Sequence, residues 1–461
     1  MKKTMDLSKP KPNIPPFNGP AHYARMAAMR AEQPKTDQSL VVEYAGEDYK
    51  LIFSGAIKLE KLGGVVVPPI DPDPVEPTKG YRMGTNTHHW MPLPLLEMFD
   101  SIRLYVATGW IWRPGGLFVQ PFFQAETANM HGLDDYLSAA KAAGKDVLLC
   151  TNLCPDWYNG YDSQGYGSNP YPPIKNLATD KSKDRTAASS YQDYADYYFQ
   201  LVARYGKVKH PDSILKVDTT PRWSGDIANE KKSGLGLLTR IEIGNEVDRW
   251  WSTGEDYMKP EEHAAMLWAC YAACKKADPE IRVYMAGLTG ADVPYLKRMK
   301  AYYDKHGIKF QSDAINIHYY THEGNDARWP PTWWNSGACY PEEDKGFYRV
   351  EDVVKFGHSL TPPLDTILSE FGCDSRTPSW MHIKGSKYGL TDEQAQGQLI
   401  AKSFAAHKKV NVKESMQFIA ADEEGTGLWQ SCGIVTSQSK GYQKKQSFDA
   451  VKKHTTETSN T

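Results

Sequence analysis

The chain of 461 residues predicts an α/β fold, a (β/α)8 TIM barrel behind a small N-terminal extension. Three observations lead there. From Gly80 onward, short apolar runs alternate with amphipathic stretches. The apolar runs are nearly continuous, as strands covered on both faces should be. Eight such runs in strict alternation with helices suit a closed barrel better than an open sheet.

Residues 1–67 form the extension. Within it, 10–20 are rich in Pro, Asn and Gly and read as extended, and 22–32 read as a short helix. Runs 40–44 and 49–59, on either side of Gly46-Glu47-Asp48, read as a hairpin. Residues 68–79 form a Pro-rich linker, with five prolines between Pro68 and Pro77, that is a stiff tether or a surface strap. The barrel takes 80–461. Its strands are expected at 81–85, 102–107, 146–151, 239–244, 282–287, 314–318, 366–370 and 416–421. Its helices are expected at 133–143, 191–205, 261–277, 293–306, 350–358, 392–409 and about 444–453, with a short one near 93–99. No internal repeat is visible.

Four of the loops that follow strands are long: 108–131, 152–190, 321–347 and 372–390. All four belong to the C-terminal mouth of the barrel, where catalytic groups of this architecture sit. They carry Trp110, Trp112, Trp157, Tyr158, Tyr161, Trp329, Trp333, Trp334 and Trp380. Loops of this length inside a domain are usually functional or disordered, and their Trp content weighs against disorder. The chain holds 13 Trp and 27 Tyr, and aromatic faces suit the C–H faces of sugar rings.

Composition narrows the partners. A net charge of -2 gives no field that would favour nucleic acid or an anionic membrane. Two lysines near the N-terminus are followed by no apolar core of a signal sequence, and no run of about 18 apolar residues occurs, so no membrane span is expected. Seven cysteines, an odd number, suggest no disulfide framework. The pairs Cys150/Cys154 and Cys270/Cys274 have a spacing that zinc could use, but the second pair falls inside an amphipathic helix, where Cys is usually a small buried apolar residue. His88 and His89 are neighbours, and neighbours on a strand face opposite sides, so a His-x-His metal site on strand one is not expected. No metal or organic cofactor is expected.

Two glutamates end strand-like runs. Glu246 closes Arg240-Ile-Glu-Ile-Gly-Asn-Glu, the fourth strand, and Glu370 closes Thr366-Ile-Leu-Ser-Glu, the seventh. Strands four and seven lie nearly opposite each other, so long side chains converge from two sides of a bound molecule. Two such carboxyls, about 5–5.5 Å apart, are the minimum for cleaving a glycosidic bond with retention: one donates a proton and the other attacks the anomeric carbon.

The pattern Asn245-Glu246 at strand four with Glu370 at strand seven resembles the clan A retaining glycoside hydrolases, the 4/7 barrels. The resemblance covers about residues 80–455. It implies Glu246 as acid/base, Asn245 as ligand of the sugar 2-hydroxyl and Glu370 as nucleophile. His318-Tyr319-Tyr320 at strand six looks like the clan's His-x-Tyr, whose Tyr bonds the nucleophile. Arg103 on strand two matches an Arg that holds the nucleophile ionised. Strand eight departs from the clan, which often places a Trp there. This chain has Phe418-Ile-Ala-Ala-Asp422-Glu423, with Trp429 later. Either Asp422 or Glu423 bonds sugar hydroxyls, or Trp429 folds back over the site. Asn86, His88 and Asn152, at the ends of strands one and three, are expected as further sugar ligands.

The expectation is therefore a glycosidase acting on a β-linked oligo- or polysaccharide. The alternative is a non-catalytic carbohydrate-binding barrel. Oligomeric state, cellular address and the role of residues 1–67 do not follow from the sequence.

Overall fold

Charged residues inside a closed barrel must find partners there, and their pairing sets the layers of this one. The computed structural model describes residues 40–44, 47–54, 56–61 and 80–459, apart from 90, 118–131, 163–167, 221–228, 250, 253 and 326–336. The chain divides into two units, Met1–Pro69 and Ile70–Thr461. In the first, strands Leu40–Tyr44, Glu47–Ser54 and Ala56–Lys61 form an antiparallel sheet in chain order. The hairpin read at 40–59 thus gains a third strand, because the second run pairs with itself, residues 49–54 against 56–61. The helix expected at 22–32 and the linker at 68–79 lie outside the described residues.

In the second unit the strands are β1 (Arg82–Thr87), β2 (Ser101–Ala107), β3 (Asp146–Asn152), β4 (Arg240–Ile243), β5 (Arg282–Met285), β6 (Ile315–His318), β7 (Thr366–Phe371) and β8 (Glu414–Gln417). All pair in parallel in the order β5-β4-β3-β2-β1-β8-β7-β6. The barrel closes between β5 and β6 through one bridge, Leu288 to Ile317. The long helices are α1 (Leu133–Ala142), α2 (Gln192–Tyr205), α3 (Pro260–Ala277), α4 (Val293–Lys305), α5 (Tyr348–His358), α6 (Asp392–Lys409) and α7 (Gln446–Ser459). Start signals are visible in the chain. Pro260 and Pro294 occupy first turns, and Thr391 and Gln394 form a capping box at α6. No described helix is long and apolar enough to cross a membrane, and all seven cysteines are free and buried.

Outward strand residues such as Ile102, Leu104, Ile241, Ile243, Leu368 and Phe371 join the helices in the main core. Inside the barrel, Leu148, Tyr284, Ala314, Ile367 and Met416 make an apolar middle layer. Beneath it lies an ionic floor. Arg240 and Glu414 are fully buried and bonded to each other; Arg240 Nη2 donates to Glu414 Oε1 at 3.1 Å, and Ser101 donates to the same carboxylate. Asp146 joins the floor at 2.7 Å from Arg82 Nη1 and 3.3 Å from Arg240 Nε. This floor explains why the eighth strand begins at Glu414 and not at 416. A glutamate looks like a loop residue until its cationic partner on the opposite strand is known.

Burial works against ionisation of Glu414, but Arg240 and Arg82 outweigh it and hold the carboxyl below its ordinary value. A carboxyl depressed on folding stabilises above its unfolded pKa, and that contribution is lost as pH falls through the folded one. Glu414→Ala leaves Arg240 buried without its main anion and should cost about 3–5 kcal/mol in urea unfolding at pH 7. The deficit should shrink as the medium is acidified below about pH 4; an equal deficit at both pH values would contradict the pairing.

Candidate active site

Period-two alternation on β2 sends Arg103 and Tyr105 inward, between the outward Ile102, Leu104 and Val106. On β4 the same rule turns Glu242 inward. Arg103 is fully buried and takes Glu242 in a two-pronged grip, Nε to Oε2 at 2.6 Å and Nη2 to Oε1 at 2.8 Å. Its remaining donors spread over the mouth. Nη1 reaches Glu370 Oε1 at 2.6 Å and Asn86 Oδ1 at 3.0 Å, and Nη2 reaches Asn245 Oδ1 at 2.7 Å.

Glu370 faces inward because of a bulge. On β7, Ile367 points into the barrel and Leu368 outward. Strict alternation would then send Ser369 in and Glu370 out. Instead β6 pairs Ile317 with Leu368 but His318 with Glu370, and β8 shows the same one-residue slip. The extra residue lets both Ser369 and Glu370 face the interior. Glu370 Oε1 accepts from Arg103 and Tyr105, and Oε2 accepts from Tyr320 Oη at 2.8 Å. Tyr319 points away, toward Phe347.

Glu246 approaches from the other side. It is half-buried and holds the left-handed φ of +45°, with its N–H bonded to Gly287 O at 3.0 Å. His318 Nδ1 lies 2.8 Å from Glu246 Oε1 and 3.5 Å from Glu370 Oε2, and Nε2 lies 3.1 Å from Ser369 Oγ. Carboxylate oxygens of Glu246 and Glu370 and the His318 nitrogen all lie within 4.8 Å of one another. The same three groups are close enough together that they could share a metal ion. Gly287 makes the space for His318: a Cβ there would stand 2.3 Å from His318 Nε2.

The electrostatics separate the partners. Burial opposes ionisation of Glu370, but His318, Arg103 and the Tyr105 hydroxyl outweigh it and hold the carboxyl below its ordinary value. Burial alone would lower the His318 pKa, yet Glu370 and Glu246 raise it above the usual imidazole value. Burial and the neighbouring Glu370 carboxylate push the phenols of Tyr105 and Tyr320 well above their ordinary range, so both remain O–H donors.

The sequence-predicted residues divide into three groups. Arg103, Asn245, Glu246, His318, Tyr320 and Glu370 meet in one cluster. Asn86 reaches it only from below. It is fully buried, its amide donating to Ser369 O at 2.8 Å and Gln417 O at 3.3 Å and its Oδ1 accepting from Arg103, so its polar capacity is used inside the barrel. His88, Asn152 and Trp429 lie around the rim. His88 pairs with Glu423 at 2.5 Å beside a cavity of about 160 Å³ that Asp422, Glu424 and Tyr442 also line. Asn152 is half-buried, and its carbonyl accepts from Thr108 Oγ1 at 3.0 Å.

Trp429 does fold back: its ring lies 4.5 Å from that of Tyr320, the residue that bonds Glu370. Buried Asp374 pins it, accepting from Trp429 N at 2.8 Å and Ser431 N at 2.7 Å. Asp422 is taken up by Lys445 at 2.9 Å. Among the loop aromatics, Trp112 and Tyr158 are buried and belong to the core, whereas Trp157 is 41% exposed. Trp329, Trp333 and Trp334 lie outside the described residues.

Sequence reading missed Tyr105, Glu242, Ser369 and Asp374. Tyr105 was within reach, since it shares the inward face of β2 with Arg103. Glu242 was too, as a charge inside an apolar strand that required a cation.

No protein-family model matches the chain, and no curated protein matches it. Similar solved structures include a family 39 glycoside hydrolase from the gut symbiont Bacteroides cellulosilyticus, 14% identical, with a TM-score of 0.50 over 89% of this chain and 69% of that one. They also include the GH53 catalytic domain of Ignisphaera aggregans (13%, TM-score 0.48, 83% of this chain and 99% of that one). A family 51 alpha-L-arabinofuranosidase from Bifidobacterium longum (14%, TM-score 0.46, 84% and 74%) is a further neighbour. At this identity the likeness concerns the fold, a (β/α)8 barrel.

Tyr105→Phe and Tyr320→Phe each remove one O–H donor from Glu370. Each should raise the Glu370 pKa, read from the side-chain carboxyl in ¹³C NMR, and the double variant should raise it further. A hydrogen bond to a charged group contributes about 1.5–3 kcal/mol. That deficit should be present at pH 7 and fade as Glu370 becomes protonated, since a depressed carboxyl stabilises only while ionised.

Proposed function

We propose that the protein is a retaining glycoside hydrolase acting on a β-linked oligo- or polysaccharide. The observation that carries this reading is the pair Glu246 and Glu370, with carboxylate oxygens within 4.8 Å and unequal surroundings. Retaining enzymes hold their carboxyls about 5–5.5 Å apart, and inverting ones leave roughly 6.5–9.5 Å for a water. The observed spacing favours direct attack on the sugar.

The roles follow from the surroundings. Glu370, kept ionised by His318 and Arg103, is the nucleophile: it attacks the anomeric carbon and forms a glycosyl ester as the leaving oxygen departs. Glu246, half-exposed on the other side, gives its proton to that oxygen and then takes one from the water that cleaves the ester. Asn245 holds its Oδ1 toward Arg103 and Tyr105, which leaves its NH₂ to donate to a sugar hydroxyl. Tyr105 and Tyr320, held as donors, brace the nucleophile. Trp429 beside Tyr320 supplies an aromatic face for a sugar ring.

Aryl β-glycosides and β-linked polysaccharides, assayed as a panel with and without EDTA, test this reading. Turnover should survive the chelator, vanish in Glu370→Ala and fall by about 10²–10⁴-fold in Glu246→Ala. A 2-fluoroglycosyl adduct should map to Glu370 by mass spectrometry. Sugar binding without turnover would favour a non-catalytic carbohydrate-binding barrel; turnover lost to EDTA and restored by a divalent cation would favour a metal ion on the Glu246, His318 and Glu370 set.

A further inference from the structure

The loop after β4 holds one more buried carboxylate, Asp248, two residues beyond Glu246 and 4% exposed. It makes no ion pair among the described residues. Its partners are all on Thr289, just past β5: Thr289 N donates to Oδ1 at 3.0 Å and to Oδ2 at 3.1 Å, and Thr289 Oγ1 donates to Oδ2 at 2.9 Å.

This attachment point is where the barrel closes. Leu288, one residue earlier, bridges to β6: its N–H donates to Asn316 O at 3.2 Å, and its carbonyl accepts from His318 N at 2.7 Å. Gly287, one residue before that, accepts from Glu246 N. Three consecutive residues, Gly287, Leu288 and Thr289, therefore receive Glu246, His318 and Asp248. The Asp248 clamp ties the strained Glu246 backbone to Thr289, the neighbour of Leu288 from which His318 hangs, and His318 in turn contacts the Glu246 carboxyl. Without the clamp, the φ of +45° at Glu246 rests on one backbone hydrogen bond.

We propose that Asp248 is a positioning residue for Glu246: through Thr289 it locks the β4 loop onto the β5–β6 seam. This rests on the assignment of Glu246 as acid/base. The titratable groups that face Asp248 are Glu246 and Tyr257 on the same loop and Tyr295 on α4. Behind Tyr295 stands His263 on α3, which burial keeps neutral. Burial above all, against the bonds from Thr289 and with the Glu246 charge adding to it, pushes Asp248 from its ordinary value up to about 7.

The test compares Asp248→Asn, Asp248→Ala and Thr289→Val with wild type, using phenyl β-glycosides of the sugar found in the panel. A phenolate leaves poorly, so the rate depends on proton donation. Asp248→Asn keeps an acceptor oxygen for Thr289 and should turn over within about threefold of wild type. Asp248→Ala should lose about 10–100-fold in kcat with a smaller change in KM, as misplacement of a catalytic group does. Thr289→Val keeps the backbone donor and should fall between the two.

Rescue separates positioning from a merely structural role: Asp248→Asn should restore the kcat that Asp248→Ala loses, because only the acceptor for Thr289 is needed. An Asp248→Ala enzyme with wild-type kcat would overturn the proposal. If that variant fails to fold, Thr289→Val carries the test, and wild-type kcat there would overturn it as well. Full activity in Glu246→Ala would instead remove the acid/base assignment itself. An inactive Glu246→Ala beside a wild-type-like Asp248→Ala sinks only the role of Asp248.

Discussion

A guanidinium shielded from water must be surrounded by anions and acceptors, and that of Arg103 draws its ring of partners from five strands. Asn86 comes from β1, Tyr105 from β2, Cys150 from β3, Glu242 and Asn245 from β4 and its exit, and Glu370 from β7. The fork with Glu242 uses two donors and fixes the plane of the group. The other donors then point where that plane dictates. Glu370 and Asn245, far apart in the chain, are registered against the same cation. Two carboxylates against one guanidinium leave a negative charge over, and the raised pKa of His318 is the response to it. Glu370 with its lowered pKa, His318 with its raised pKa and half-buried Glu246 are therefore parts of one charge balance.

Backbone irregularities do the rest of the placing. The bulge on β7 turns Glu370 inward, and the left-handed residue at 246 swings the second carboxylate over the mouth. The first interrupts strand pairing and the second lies beyond it, so at both the ladder no longer dictates which way a side chain faces. They are also why a count of strands locates these residues without locating their side chains.

Strand ends were legible because apolar runs are, and the two glutamates follow such runs directly. The barrel interior was less so. Glu414 and Glu242 look like surface residues in isolation, and each is inside only because an arginine on another strand meets it. Pairing between distant strands has no local signature. Asn86 illustrates the opposite error: an Asn near a strand end suggests a ligand, yet its amide is consumed by the backbone of β7 and β8. The fold-back of Trp429 depended on Asp374, whose buried carboxylate gathers the backbone of residues 429–431. Nothing in the order of residues along that loop announces such a fold-back.

The layers give a reason for this division of labour. Apolar side chains from β3, β5, β6, β7 and β8 separate the floor pair, Arg240 and Glu414, from the Arg103 cluster above. A buried ion pair is weak evidence for stability in itself, since desolvation offsets much of its attraction. Two such layers are better understood through what each excludes. The floor pairs charges from opposite strands and disfavours other registers of β4 against β8. The upper layer imposes the same discipline on β2, β4 and β7, and it also leaves two carboxylates in unequal surroundings with oxygens within 4.8 Å of each other. A barrel filled with leucine could be more stable and would have no such asymmetry. The seam at Leu288 lies beside that asymmetric pair, and it is closed by hydrogen bonds of Val283, Met285 and Leu288 to residues 312–318, so the same segment that shuts the wall also holds Glu246 and His318.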